Sequence, residues 1–375
     1  MKRIIYADNA ATSKLDAEAF EAMKPYLLDE YGNASQPYSF SRNSKKALQN
    51  SRETIAECIN AYPEEIFFTS GGTESDNWAI KGCTFANHTK KAIITSSIEH
   101  HAVLKSCNYL EQLGYPVIYI SPDKHGITTT ETLRSTIAES TNLVSVATAN
   151  NEIGTIQPIK ELCSIAHENG ALFHTDAVQA VGHININVKD SKVDLLSASA
   201  HKFNGPKGIG FLYIKKGTNI DPYMCGGSQE MTLRAGTENV ASIVGMATAL
   251  KKCCITITEA EKNYLKMKSI ILSNLTNSGV DFIINGDENG LASTLSLSFR
   301  GQDGEAILHR LDLMGIIVST GSACDGKKAR ISHVIQAIGV PKEYARGTIR
   351  ISLGLNNTIK DATEISRCLL KILNQ

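Results

Sequence analysis

From about residue 16 onward the apolar positions fall into two alternating patterns. Stretches such as "AEAFEAMKPYLLDE" and "SFSRNSKKALQNSRETIAECINAY" carry the spacing of helices with one buried face. Between such stretches lie short β-rich runs: "EIFFTS", "KAIITSS", "PVIYIS", "LVSVATA", "ALFHTDA", "VDLLSASA" and "GIGFLYI". Several are apolar on both faces, as are strands of a mostly parallel sheet buried between helix layers. The pattern predicts a large α/β domain over residues 16–255. After a long helical stretch from about Asn239 to Asn277 the chain changes to "TLSLSFR", a helix near "GEAILHRLDLMG", then "IIVST", "GTIRISLG" and a final helix. These elements predict a smaller α+β domain formed by residues 1–15 and 256–375 and packed on the first.

Composition narrows this picture. Hydrophobic residues make up 42% of the 375, enough for a sizeable core. Formal net charge is zero, so no general electrostatic pull toward nucleic acid or an acidic membrane surface is expected. The nine cysteines are odd in number and form no CxxC pair, which argues against a disulfide framework or a zinc site, and no metal is expected. The N-terminal "MKRIIYADNAATSK" has too short an apolar stretch for a signal peptide, and no run reads as a membrane span. A cytoplasmic protein is expected.

Four stretches carry chemistry. In "EIFFTSGGTESDNWAIKG" a strand runs into Gly71, Gly72 and Thr73 and then a helix, whose free amides favour an anion such as phosphate. In "LFHTDAVQAVGH" a buried strand ends at Asp176, with Gln179 close behind, where open α/β sheets bind ligands. In "VDLLSASAHKFNGPKGIGFLYI" another strand delivers Ser199, His201 and Lys202 into a turn; a lysine desolvated there has the free amine that a Schiff base requires. A phosphate turn, a strand-end carboxylate and a strand-end lysine are the parts that hold pyridoxal phosphate. The fourth stretch, "VSTGSACDGKKAR", places Cys324 among small residues and ahead of three basic ones, a setting that favours an accessible thiolate over a packed thiol.

The motifs "YADNAAT", "GNASQ", "FTSGGTESDN", "IEHHAV", "ANNEIGTIQPI", "HTDAVQAVG", "SAHKFNGPKGIG", "RAGTENV", "STGSAC" and "RISLG" occur in the order found in one family. Over almost its whole length the chain resembles the NifS/IscS-like cysteine desulfurases, class-V aminotransferase-like enzymes of the fold-type I pyridoxal 5'-phosphate group. The resemblance implies that Lys202 bonds the cofactor, that Asp176 pairs with its pyridine nitrogen and Gln179 with its ring hydroxyl, and that His100 stacks on the ring and relays protons. It further implies that Gly72, Thr73, Ser199 and His201 hold the phosphate, with Thr237 reaching the cofactor of a neighbouring subunit in a homodimer. Asn151, Arg350 and Asn33 match positions that hold the carboxylate of an L-cysteine substrate, and an arginine in a β-like "TIRIS" run is by its own chemistry a fixed bidentate clamp.

The implied reaction yields alanine and a persulfide on Cys324, with the sulfur passing to an iron-sulfur scaffold or a thiolation relay. Selenocysteine lyase, another cysteine lyase and a non-catalytic sulfur relay are the competing readings. The chain departs from the family at "DGKKAR", where relatives often carry Ser/Thr-rich residues, and it ends at Gln375 without the longer tail by which some relatives dock a scaffold.

Overall fold

The computed structural model describes residues 3–89, 91–320 and 331–374. A two-residue strand, β1 (Ile5–Tyr6), precedes the seven β-rich runs, each of which becomes a strand. These are β2 (Ile66–Thr69), β3 (Ala92–Ser96), β4 (Val117–Ile120), β5 (Thr141–Ser145), β6 (Leu172–Asp176), β7 (Leu195–Ser199) and β8 (Gly210–Ile214). Together they make one sheet in the order β2-β8-β7-β6-β5-β3-β4, parallel except that β8 runs against both its neighbours. Consecutive residues of a strand feed opposite faces. Phe67, Ile93, Leu143, Leu195 and Leu212 join one apolar cluster, while Phe68, Ile94, Val144, Leu196 and Phe211 join another. That explains the two-faced apolarity of these runs. The strand β4 differs because it lies at the sheet edge, where Ile118 and Tyr119 are exposed.

The expected strand "LVSVATA" starts two residues earlier than its apolar run and stops at Ser145; just beyond it Ala147, Ala149, Asn150 and Asn151 line a cavity. A second sheet, antiparallel in the order β12-β10-β9, comprises β9 (Phe282–Asn285), β10 (Thr294–Phe299) and β12 (Thr348–Ser352). The run "IIVST" gives only β11 (Ile316–Ile317), which pairs in parallel with β1. Ser319 just beyond it exchanges both backbone bonds with Arg350 of β12.

The helix Val240–Asn277 ties the two parts together. Its first half buries Ile243, Met246 and Leu250 in the core of the large sheet, and its second half buries Met267, Ile271 and Leu275 against β10, β12 and the final helix Ile359–Leu373. By length and composition this helix could cross a membrane, contrary to the expectation that no run would. Its burial in two apolar clusters is the packing of a core helix.

Candidate active site

The carboxyl ends of the parallel strands open into a cavity of about 600 Å³. β6 delivers Asp176 to its floor, and β7 ends at Ser199 before a single 3-10 turn, Ala200–Lys202, that presents His201 and Lys202. On another side β2 passes through Gly71 into the helix Gly72–Ala86, so that the first-turn amides and Thr73 border the same space. Both glycines are required by geometry. Gly71 has φ of +149°, which L side chains rarely adopt, and a Cβ on Gly72 would come within 2.6 Å of Val178 Cγ2.

Burial raises the pKa of Asp176, while His100 and Lys202 act in the opposite direction; its Oδ1 accepts the Val178 amide at 2.9 Å. Gln179 donates to the Ala10 carbonyl at 2.9 Å. His100 caps the helix His101–Gln112, its Nδ1 accepting the Ala102 amide at 3.1 Å, and lost solvation pushes its pKa down. His201, bonded through Nδ1 to the Thr12 hydroxyl, is held to about 4 by burial and is therefore neutral near pH 7. Lys202 Nζ donates to the carbonyls of Ala10 and Ala11 at 2.6 and 2.8 Å.

Arg350 comes from the second sheet. It is only 4% exposed, with one terminal nitrogen donating to the Asn151 carbonyl at 2.8 Å and the other to Asp8 Oδ1 at 2.6 Å. Its Nε is buried with no hydrogen-bond partner. An unmet buried donor costs about 1–3 kcal/mol.

These residues fit a phosphorylated, cationic heterocycle joined to an amine. The helix start at Gly72, with no room for a Cβ, suits phosphate, and the buried carboxyl of Asp176 suits a protonated ring nitrogen. Lys202 lies in the same cavity, within reach of both.

The structure thus brings Gly72, Thr73, His100, Asn151, Asp176, Gln179, Ser199, His201, Lys202 and Arg350 to one cavity. Asn33 and Thr237 are not among its lining residues. Asn33 uses its side chain to accept the Ser35 amide in its own turn, and Thr237 is exposed on a loop. Their segments meet each other instead, through Ser35 and Glu238. Cys324 lies outside the described residues. Three acids that the sequence reading passed over belong to the site or its floor: Asp8, Asp76 and Glu99. Asp76 had a readable signal, since it follows Gly72 by one helical turn and so shares its face. Asp8 stands in the motif "YADNAAT", but its pairing was hidden because its partner Arg350 lies at the far end of the chain.

Comparison with known proteins agrees with this geometry. The model of the family described as aminotransferase class-V matches residues 5–365. A cysteine desulfurase IscS of Dictyoglomus turgidum is 48% identical over all of this chain and 96% of its own length. Among solved structures, a NifS-like protein superposes with a TM-score of 0.93 at 38% identity, over 99% of this chain and all of that one. Another, SspA in complex with cysteine, gives a TM-score of 0.82 at 35% identity, over 93% of this chain and 98% of its own. With a cavity of this composition and relatives of this closeness along its full length, the chain belongs to the class-V aminotransferase family, in its cysteine desulfurase branch.

Proposed function

We propose that the protein converts L-cysteine to L-alanine with pyridoxal 5'-phosphate and transfers the sulfur to Cys324 as a persulfide. The observation that carries this reading is the meeting of Asp176, Lys202 and Arg350, from two different sheets, in one cavity. A related structure that holds cysteine, SspA, supports the choice of substrate.

Gly72, Thr73, Ser199 and His201 would bind the phosphate, Asp176 the ring nitrogen, Gln179 the ring hydroxyl, and His100 the ring face. When bound, the cofactor supplies an aldehyde that condenses with amines and a ring that withdraws electrons from the neighbouring carbon. Arg350 grips the substrate carboxylate beside Asn151, its position fixed by Asp8 and by the backbone pairing with Ser319. Lys202, once it gives up the Ala10 and Ala11 carbonyls, takes the proton from the substrate Cα. His100, whose pKa burial lowers, would pass a proton across the ring face. The Cys324 thiolate then attacks the substrate sulfur, forming the S–S bond as the C–S bond breaks. That electron pair stays with carbon, which takes up a proton to end as alanine.

A homodimer belongs to the same reading. Leu28, Tyr31, Phe40 and Met231 are exposed around the segments of Asn33 and Thr237, and a second copy seated there would cover them and let Thr237 reach the partner's cavity. The eight cysteines among the described residues are all free thiols, in keeping with a reducing cytoplasm. The persulfide would pass to an iron-sulfur scaffold or a thiolation relay.

The test is the purified protein given cysteine and a reductant. Wild type should release sulfide and alanine in equal amounts, while Cys324→Ala should keep the cofactor absorbance and lose sulfide release. Wild-type turnover in that variant would exclude the persulfide step. A protein that stays colourless after incubation with pyridoxal phosphate would point to the non-catalytic relay.

A further inference from the structure

The cavity floor holds more acid than the proposed reaction uses. Asp76 is 1% exposed, lines the cavity, and leaves Oδ1 without a hydrogen-bond partner. Its ligand atom and those of His100 and Asp176 all lie within 4.8 Å of one another. The groups facing it come from three directions. On β6 stand Asp176 and His174, the latter with Nε2 at 3.7 Å from Asp76 Oδ1. That imidazole bonds the hydroxyls of Ser145 and Ser197 at 2.8 and 3.0 Å and is held to about 3 by burial, so it offers no positive charge near neutral pH. On β7 the Ser197 hydroxyl sets itself against the Asp76 carboxyl. Ahead of the helix His101–Gln112, buried Glu99 takes the Ala147 amide on both oxygens.

The charged groups acting on Asp76 are thus acids, Asp176 and Glu99. Asp176 has what Asp76 lacks: the Val178 amide on its Oδ1 and the nearby charge of Lys202. Two desolvated carboxyls at this separation resist ionising together, and the proton stays on the one with less to compensate its charge. We propose that Asp76 is a positioning residue held as a neutral acid under the cavity, its proton leaving Asp176 as the ionised carboxylate that meets a cationic ring. The direction of the Asp76 shift, far above the carboxylate range through burial first and Asp176 second, agrees with the geometry. The proposal rests on the pyridoxal phosphate reading only for the identity of the ring.

The experiment uses purified holoenzyme, wild type and Asp76→Asn, which keeps shape and neutrality. In protein made with isotope-labelled aspartate, the infrared spectrum at neutral pH should show a protonated-carboxyl band in wild type that Asp76→Asn removes. The pH titration of the visible cofactor band should move by less than about half a unit in Asp76→Asn. The proposal is overturned if the labelled band is missing from wild type, if it survives in the variant, or if the titration moves by more than about one unit, as loss of a buried negative charge would require. Asp76→Ser supplies the same two readings should the asparagine variant not accumulate. If no visible cofactor band exists at all, the pyridoxal reading fails while the infrared band still decides the state of Asp76.

Discussion

The cavity floor and the surface around Asn33 and Thr237 are built on opposite terms. On the floor, Asp76 stands on a buried helix face, His174 and Ser197 lie within buried strands and Asp176 ends one, and each is packed by neighbours from its own chain. On the surface, Leu28 and Tyr31 are 71% and 72% exposed, yet the backbone nearby is tightly specified. Glu230, Met231 and Thr232 hold three successive positive φ angles of 44°, 55° and 69°, an arrangement that costs free energy for residues other than glycine. Glu230 secures the segment by a bidentate pair with Arg52 and by accepting the Phe68 amide. A strained, anchored and uncovered segment has the character of a surface shaped for a partner, whereas the floor needs none.

That contrast makes separable predictions. The largest effect belongs to the floor: Lys202→Ala should lose turnover and the absorbance of the amine-linked cofactor at every protein concentration, and retention of either would break the assignment. Next comes Arg350→Ala. Removing a buried charged clamp costs about 2–5 kcal/mol, so kcat/KM for cysteine should fall by roughly 30- to 5,000-fold with the cofactor spectrum intact, and a fall below tenfold would remove Arg350 from substrate binding. Thr237→Ala, on the surface, should weaken cofactor retention by roughly 10- to 150-fold, the scale of one hydrogen bond to a charged group, about 1.5–3 kcal/mol. In the proposed homodimer Thr237 serves a second subunit, so the loss should deepen on dilution below the dissociation constant of that dimer. A concentration-independent loss would move Thr237 to its own chain's cavity.

The mildest effect is on stability. His174 and His201 are held at about 3 and about 4, below the ordinary 6.5, so the unfolded chain binds protons that the folded one refuses. Their contribution is fully present above about 6.5 and declines as pH falls toward 4, by up to about 1.4 kcal/mol per pH unit for the fully buried His174. Tm should therefore drop through this window, and His174→Gln should flatten the slope.

The same contrast governs what the sequence discloses. Six of the seven runs of the large sheet are legible because a strand buried on both faces is largely apolar, and Asp176 and Lys202 are legible because they stand at or just beyond the ends of such runs. The ends are less so: Ala147 and Ala149 read as a continuation of β5 but lie beyond its end and line the cavity. The strand β9 gives a weak signal, since Phe282, Ile283 and Ile284 are only partly covered. The Asp8 and Arg350 pair is invisible because it joins the chain's two ends. Asn33 and Thr237 match a family pattern, yet within one chain they find each other's neighbourhood rather than the cavity.

The helix Val240–Asn277 has a mechanical consequence. At 1.5 Å per residue its 38 residues form a rod about 57 Å long, clamped at one end by the core that carries Lys202 and at the other by the core that carries Arg350. Rotating one core against the other would bend this rod or shear its packing, so the distance between the amine and the guanidinium acts as a fixed gauge. On the proposed reading that gauge would admit α-amino acids, whose carboxylate is bonded directly to the carbon bearing the amine, and refuse β-amino acids, in which a further carbon intervenes, before any thiol arrives.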